Sequence, residues 1–157
     1  MQNSDTEKNK KRLLAILKED AFFKEKIILS SGKESHFYID ARRVTLSPEG
    51  AYLCAKIILD MIKGEGVDAI GGPTLGADPI VGAIAALSFK VKKPINTFIV
   101  RKSPKPYGQR QQIEGPLLKK GSRIILFDDV TTTGQSIIQS LEVLKAINIE
   151  VTKAICI

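Results

Sequence analysis

Short apolar runs alternate with amphipathic segments along most of this chain. Four runs have the length and β-branched content of buried strands, and they are Val67–Gly71, Ile95–Val100, Arg123–Phe127 and Glu150–Ile157. Four segments place apolar residues at helical spacing, and they are about Asp5–Glu19, Ser47–Lys63, Ile80–Phe89 and Gly134–Ile147. Since strands alternate with helices, the pattern predicts an α/β fold whose mostly parallel central sheet is flanked by helices.

Two helix starts carry recognisable capping signals. Ser4-x-x-Glu7 has the spacing of a capping box, which predicts that the first helix begins next to Ser4. Ser47 is followed by Pro48, an arrangement typical of an N-cap and the first helical position.

The segments between these elements are less regular. Lys26–Leu29 and Phe37–Ala41 are short β-like runs on either side of a turn signal at Gly32. Arg101–Gly115 is polar and contains two prolines and a glycine before Gly115, so we expect a long mobile loop there.

Composition limits the class of protein. The 157 residues, 43% of them hydrophobic and 26% charged, suggest one globular domain. The sequence contains no apolar run of membrane-spanning length, and its polar first residues predict neither a signal peptide nor an anchor. Cys54 and Cys156 lack metal-ligand spacing, so we expect both to be reduced and the protein to be cytoplasmic.

The formal net charge of +7 comes from basic residues spread along the chain. Local groups lie at Lys8–Arg12, Lys90–Lys93, Arg101–Arg110 and Lys119–Arg123. Aromatic residues are few and are not interleaved with these groups, so nucleic-acid binding is not favoured. A small polyanionic ligand explains the group in the predicted mobile loop better, while solubility accounts for much of the rest.

The strand Arg123–Phe127 leads into the segment with the most chemistry. Asp128 and Asp129 follow it, then a hydroxyl-rich turn, Gly134 and a helix. Ligands of open α/β sheets bind at this edge of the sheet. The carboxylates can reach sugar hydroxyls or Mg²⁺, and the turn can offer N–H groups to a phosphate at the helix N-terminus. An ordinary strand-to-helix turn is the alternative; a Walker B strand is excluded, because no G-x-x-x-x-G-K-[ST] occurs.

This segment resembles the 5-phosphoribosyl-1-pyrophosphate (PRPP) signature of type I phosphoribosyltransferases. Three further segments resemble the orotate phosphoribosyltransferases, and they are Leu29–Asp40, Gly71–Pro79 and Arg101–Gly115. The resemblance implies an N-terminal hood of about residues 1–45, a core of about 46–157 and a mobile lid within the single domain. It also implies transfer of a phosphoribosyl group from PRPP to orotate, Mg²⁺ held mainly by PRPP near the two aspartates, and a homodimer whose subunits share the lid.

The resemblance assigns roles to particular residues. The catalytic set is Arg101, Lys105, Asp128 and Asp129. The residues assigned to PRPP are Thr74, Leu75, Arg101, Lys102, Lys105, Tyr107, Asp128, Asp129, Val130, Thr131, Thr132, Thr133, Gly134, Gln135 and Ser136. The residues assigned to orotate are Phe37, Tyr38, Ile39 and Thr132. Family members often carry a non-proline cis peptide in the loop Gly72–Asp78.

Two departures from the family pattern leave alternatives open. Tyr107 stands where the family lid has a histidine, and the sequence stops at Ile157, before an Asp-Arg-x-x-Gly segment whose arginine contacts the carboxylate of the base. Recognition of that carboxylate then falls to backbone N–H groups or Lys33. The alternatives are a transferase for another base, or a non-catalytic nucleotide-sensing or nucleic-acid-binding regulator on the same fold.

Overall fold

Helices and strands alternate through most of the part of the chain that the structure, a computed structural model, describes: residues 2–28, 32–104 and 112–157. The helices are α1 (Gln2–Ile16), α2 (Arg42–Thr45), α3 (Pro48–Met61), α4 (Asp78–Lys90) and α5 (Gln135–Ala146). The strands are β1 (Phe22–Phe23), β2 (Ile27–Ile28), β3 (Glu34–Ser35), β4 (Tyr38–Ile39), β5 (Ala69–Pro73), β6 (Asn96–Val100), β7 (Ile113–Glu114), β8 (Ile124–Asp128) and β9 (Val151–Cys156).

The central sheet has five strands in the order β7-β6-β5-β8-β9. All neighbouring pairs are parallel except β6 and β7, so the predicted mostly parallel sheet is confirmed. Pro73 pairs with Val100, and Gly71 pairs with Leu126, so β5, β6 and β8 end side by side. Residues that follow these three ends are therefore brought to one edge of the sheet.

Apolar side chains cover both faces of the sheet. On β8, Ile125 and Phe127 join the core formed with α1, α3 and α4, whereas Ile124 and Leu126 join the core on the α5 side. All four are fully buried. This alternation is the period of two that a strand covered on both faces requires, and it explains the unbroken apolar run in the sequence.

The two capping predictions have different outcomes. Ser47 is the N-cap of α3, where its side chain accepts a hydrogen bond from the Gly50 N–H at 3.1 Å, and Pro48 opens the helix as predicted. The capping box at Ser4 is wrong, because α1 already includes Gln2 and places Ser4 inside the helix. A capping side chain favours a start by only about 1 kcal/mol, and neither glycine nor proline precedes Ser4 to prevent an earlier one.

The N-terminal region is built from smaller pieces than expected. β1 pairs with β4 and β2 pairs with β3, each antiparallel over two residues. The predicted strand Phe37–Ala41 is therefore too long, because Ala41 turns directly into α2. Helix α2 was not predicted, since four residues are too few to show a helical period.

The long polar segment after β6 is not a loop throughout. Its end forms the edge strand β7, and the Arg101 N–H donates to the Gln112 carbonyl at 2.7 Å, which closes the base of the segment. The prediction of an unbroken loop to Gly115 is wrong there, because two residues are too short for a strand period to be recognised. Lys105 and Tyr107 lie outside the described residues.

Two expectations from the sequence concern membrane spans and cysteine chemistry. In the described ranges, no helix combines the length and apolar character needed to cross a bilayer. Both cysteines are free, and burial raises the pKa of the Cys54 thiol to about 12. That thiol is accordingly a packing residue rather than a nucleophile.

The central strand supplies a stability prediction. Ile70 is fully buried in β5, so Ile70→Ala is expected to lower the free energy of unfolding by about 2–5 kcal/mol through lost burial and a residual cavity. Leu117 is 86% exposed, so Leu117→Ala is the control and should change it by less than about 0.5 kcal/mol. Urea unfolding followed by circular dichroism measures both, and equal effects would contradict the burial pattern.

Candidate functional site

A cavity of about 440 Å³ opens at the carboxyl ends of β5, β6 and β8. Strand ends and their loops form one wall, the small N-terminal strands form a second, and one face of α5 forms a third. The residues from the strand ends and their loops are Pro73, Thr74, Leu75, Gly76, Val100, Arg101, Lys102, Gln112, Asp128, Asp129, Val130 and Thr132. The cavity therefore lies at the edge where the sequence predicted a ligand site.

Asp128 is the buried member of the acidic pair, with only 5% of its surface exposed. One carboxylate oxygen accepts a hydrogen bond from the Asp129 N–H at 3.0 Å, and the other accepts from the Ser136 hydroxyl. Burial raises the pKa of Asp128, and the neighbouring charge of Asp129 acts in the same direction, while the Ser136 bond opposes it. Asp128 thus ties the end of β8 to the first turn of α5.

Asp129 is less buried than Asp128, and its carboxylate bonds to the backbone of its own loop. Its Oδ1 accepts from the Val130 N–H at 2.8 Å. Gly76 packs against both carboxylates: a Cβ at that position would lie 2.4 Å from Asp128 Oδ1 and 2.5 Å from Asp129 Oδ1. Because real Cβ contacts are longer than this, a larger residue at this position would require the two carboxylates to shift.

The first turn of α5 is open toward solvent. Gly134 precedes it with a φ of 75°, a conformation that favours glycine, and no side chain caps the helix. The three threonines before it are exposed, and the Gln135 N–H makes only a long contact of 3.4 Å with Thr133 Oγ1. Uncapped N–H groups and the positive end of the helix dipole attract an anion.

Thr74 connects the loop after β5 to strand β6 and to the first residue of α4 through two hydrogen bonds. The Thr74 N–H donates to the Val100 carbonyl at 3.0 Å, and the Thr74 hydroxyl donates to Asp78 Oδ2 at 2.8 Å. The Thr74–Leu75 peptide bond is cis. Beside this loop, Arg101 and Lys102 bring two cations to the cavity, and Arg101 Nη1 lies 3.4 Å from Glu114 Oε1.

Comparison with known proteins gives a consistent result. The phosphoribosyl transferase domain family matches residues 45–157. An orotate phosphoribosyltransferase of Aquifex aeolicus is 44% identical over 142 residues, which cover 90% of this chain and 74% of that protein. The chain belongs to the orotate phosphoribosyltransferase family.

Solved structures of that family share the fold. The Mycobacterium tuberculosis orotate phosphoribosyltransferase in complex with Fe(III) dicitrate aligns with a TM-score of 0.80 at 30% identity, over 95% of this chain and 83% of that one. The same enzyme in complex with PRPP aligns with a TM-score of 0.75 at 27% identity, over 95% and 82% of the two chains. The type I phosphoribosyltransferase fold is therefore confirmed.

The structure brings most of the family-derived site residues to the cavity. The candidates that line it are Tyr38, Ile39, Thr74, Leu75, Arg101, Lys102, Asp128, Asp129, Val130, Thr132 and Ser136. The candidates outside its wall are Thr131, Thr133, Gly134 and Gln135, at the turn into α5, and Phe37, whose ring stacks on Phe22 with centroids 5.8 Å apart.

Sequence reasoning missed two groups of cavity residues. On α5, Gln139, Ser140 and Val143 follow Ser136 at spacings of three, four and seven, which is one helical face. The polar stripe of Ser136, Gln139 and Ser140 along an amphipathic helix was the available signal, and Ser140 is 98% buried in the structure. On the N-terminal side, Ile27, Ile28, Asp40, Ala41 and Arg42 also line the cavity.

The side chains at the cavity can be compared with the ligands that a divalent cation requires. Among the described residues, no three acidic, histidine or cysteine side chains converge as ligands. Asp128 and Asp129 together supply carboxylate oxygens at the cavity wall. Mg²⁺ commonly binds through one or two carboxylates together with substrate phosphates and waters, so these residues fit an ion that a diphosphate carries in.

The raised pKa of Asp128 gives a prediction about stability. The folded protein holds this proton more tightly than the unfolded chain, so stability falls as pH rises through the raised pKa of the folded state. We therefore expect Asp128→Asn to raise the Tm by about 2–4 °C at pH 7, because the amide removes the buried charge.

This gain should shrink as the pH is lowered from 7 to about 4, the ordinary pKa of an aspartate carboxyl, because the raised pKa of Asp128 lets it take up its proton earlier in that range. Calorimetric scans between these two pH values measure it. A Tm that falls at pH 7, or a gain that does not change with pH, would show that ionised Asp128 does not weaken the fold.

Proposed function

We propose that this protein transfers the 5-phosphoribosyl group of PRPP to orotate, which yields orotidine 5′-monophosphate and pyrophosphate, a step of pyrimidine biosynthesis. The observation that supports this most is the convergence of three features on one cavity. These are the acidic pair after β8, the first turn of α5, which reaches the cavity wall through Ser136, and the cations after β6. They match the hydroxyls, the terminal phosphate and the diphosphate of a single substrate.

The sugar and its phosphate bind along the loop between β8 and α5. Asp129, the more exposed carboxylate, accepts hydrogen bonds from the ribose hydroxyls, while Asp128 keeps the loop in place through Ser136 and contributes its charge. The 5′-phosphate binds the open N–H groups that begin at Gly134, together with the threonine hydroxyls before them. Each end of the ribose phosphate thus has its own group of donors or acceptors.

The leaving group and the base bind on opposite sides of the ribose. Arg101 and Lys102, together with Lys105 and Tyr107 from the segment outside the described residues, stabilise the diphosphate as the C1–O bond breaks. The pyrimidine binds against Tyr38, Ile39 and Thr132, and one of its ring nitrogens gives up its proton to solvent and forms the new bond to C1. Positive charge develops on the ribose between these steps, so the nearby carboxylates favour the transition state.

Mg²⁺ belongs to this proposal as a partner of the diphosphate. Asp128 and Asp129 would hold it at the ribose side of the cavity, where it would neutralise part of the diphosphate charge. The protein residues themselves position the two substrates and exclude water around the bond that breaks.

The assembly and location are further parts of the same proposal. We expect a cytoplasmic homodimer in which the lid of one subunit completes the site of its partner. Within each subunit, about residues 1–45 form the hood and about residues 46–157 form the core. The Arg101 N–H donates to the Gln112 carbonyl where the proposed lid leaves and rejoins the sheet, and residues 105–111 between them lie outside the described residues.

The activity is tested by a spectrophotometric assay with orotate, PRPP and Mg²⁺. The double variant Asp128→Asn, Asp129→Asn is expected to abolish turnover and to weaken PRPP binding measured by calorimetry, because the ribose hydroxyls lose two carboxylate acceptors and Mg²⁺ loses its protein ligands. Asp20→Asn, an exposed position on the π-helical turn Leu17–Ala21, is the matched control and should keep full activity. PRPP affinity that is unchanged in the double variant would refute the site, and turnover of uracil or a purine base in place of orotate would refute the substrate.

Sharing of the lid is tested by mixing two inactive proteins. Subunits with Asp128→Asn and Asp129→Asn are mixed with subunits carrying Lys105→Ala and allowed to exchange. One site of each mixed dimer then combines an intact acidic pair with an intact lid, so activity should recover to about one quarter of that of the unaltered protein. A mixture no more active than its two components would place the lid on its own subunit's site.

A further inference from the structure

One cationic side chain in the cavity is not used by the chemistry described above. Among the described residues that line the cavity, three carry positive charge: Arg42, Arg101 and Lys102. Arg101 and Lys102 follow β6 and lie beside the Thr74 loop. Arg42 begins α2 on the other wall and follows Tyr38 and Ile39 in the chain, so it sits on the side proposed for the base.

Asp40 holds the guanidinium of Arg42 in place at the cavity wall. Its Nε lies 3.3 Å from Asp40 Oδ1, and about half of the side chain remains exposed. The hydrogen bond to Asp40 is the largest cause that raises the pKa of Arg42, and contact with the Tyr38 hydroxyl adds to it. A guanidinium has five N–H donors, so these two contacts leave donors for a further acceptor.

The surroundings of Arg42 suit a flat molecule with an acidic substituent. Ile28, Tyr38 and Ile39 line the same wall and give it apolar and aromatic surface. A planar fork of N–H groups pairs with a carboxylate through two parallel hydrogen bonds, which a lysine ammonium cannot do. Orotate differs from uracil by one carboxylate, and that group is what such a fork would recognise.

Neighbouring cations do not share this position. Arg43 is directed elsewhere, with its guanidinium carbon 4.6 Å from the centroid of the Phe23 ring, and it does not line the cavity. Lys33, which the sequence offered for the carboxylate, is exposed between Gly32 and β3 and is also absent from the cavity wall. The geometry therefore separates Arg42 from both.

We propose that Arg42 determines specificity for orotate by binding its carboxylate, with Asp40 as the residue that orients the guanidinium. This inference rests on the proposed phosphoribosyl transfer. It adds a carboxylate-binding residue at the N-terminal side of the cavity, on the opposite side from the cations for pyrophosphate.

The test compares Arg42→Gln with Arg43→Gln, which removes the same charge one residue away. Loss of a charge-assisted bidentate contact should raise the KM for orotate at least about tenfold in Arg42→Gln, while the KM for PRPP stays within about twofold. Arg43→Gln should leave both constants unchanged. Arg42→Lys keeps the charge but not the fork, so its KM for orotate should fall between those of the unaltered protein and Arg42→Gln.

A binding measurement separates this inference from the proposed function. Orotidine 5′-monophosphate and uridine 5′-monophosphate differ only in the carboxylate, and calorimetry with each needs no turnover. Arg42→Gln should reduce the preference for the first nucleotide at least about tenfold, with a Tm close to that of the unaltered protein. If the preference is unchanged in Arg42→Gln, or is lost equally in Arg43→Gln, the role of Arg42 is overturned. If the unaltered protein binds both nucleotides with that preference but does not turn over orotate, the proposed activity is overturned instead.

Discussion

The site depends on the close approach of two loops at the carboxyl edge of the sheet. Gly76, after β5, touches the carboxylates of Asp128 and Asp129, after β8, at distances that leave no room for a Cβ. Parallel pairing of β5 with β8 brings these loops together, and the Asp128–Ser136 hydrogen bond fixes the start of α5 beside them. In the proposed function, the residues assigned to the sugar and to its phosphate are held next to each other by this contact.

The sequence predicted the parts of the fold whose signal is local and long. The four core strands, the four longer helices and the cap at Ser47 were recoverable, because a buried parallel strand or an amphipathic helix repeats its pattern over several residues. β7 and α2 were not, since two and four residues cannot show a period. The position of Ser4 inside α1 shows a related limit: a cap signal favours a start without excluding residues before it.

The candidate site divides in the same way. Asp128, Asp129 and the turn into α5 form one continuous motif, so they could be identified from order alone. Gln139 and Ser140 reach the cavity only because α5 lies over the sheet with that face inward. Arg42 reaches it because the short strands β1–β4 turn α2 toward the core, a tertiary arrangement that no single segment encodes.

The charge balance of the described cavity bears on the proposed binding of PRPP. Its described walls carry three cations, Arg42, Arg101 and Lys102, and three carboxylates, Asp40, Asp128 and Asp129, so their formal charges cancel. PRPP brings several negative charges, and Asp40 already compensates part of the charge of Arg42. In the proposed function, further positive charge would enter with the substrate or from the segment between Pro104 and Gln112, which contains Lys105 and Arg110. The proposed diphosphate-bound Mg²⁺ and the proposed basic lid would each add that charge without disturbing the packed acidic pair.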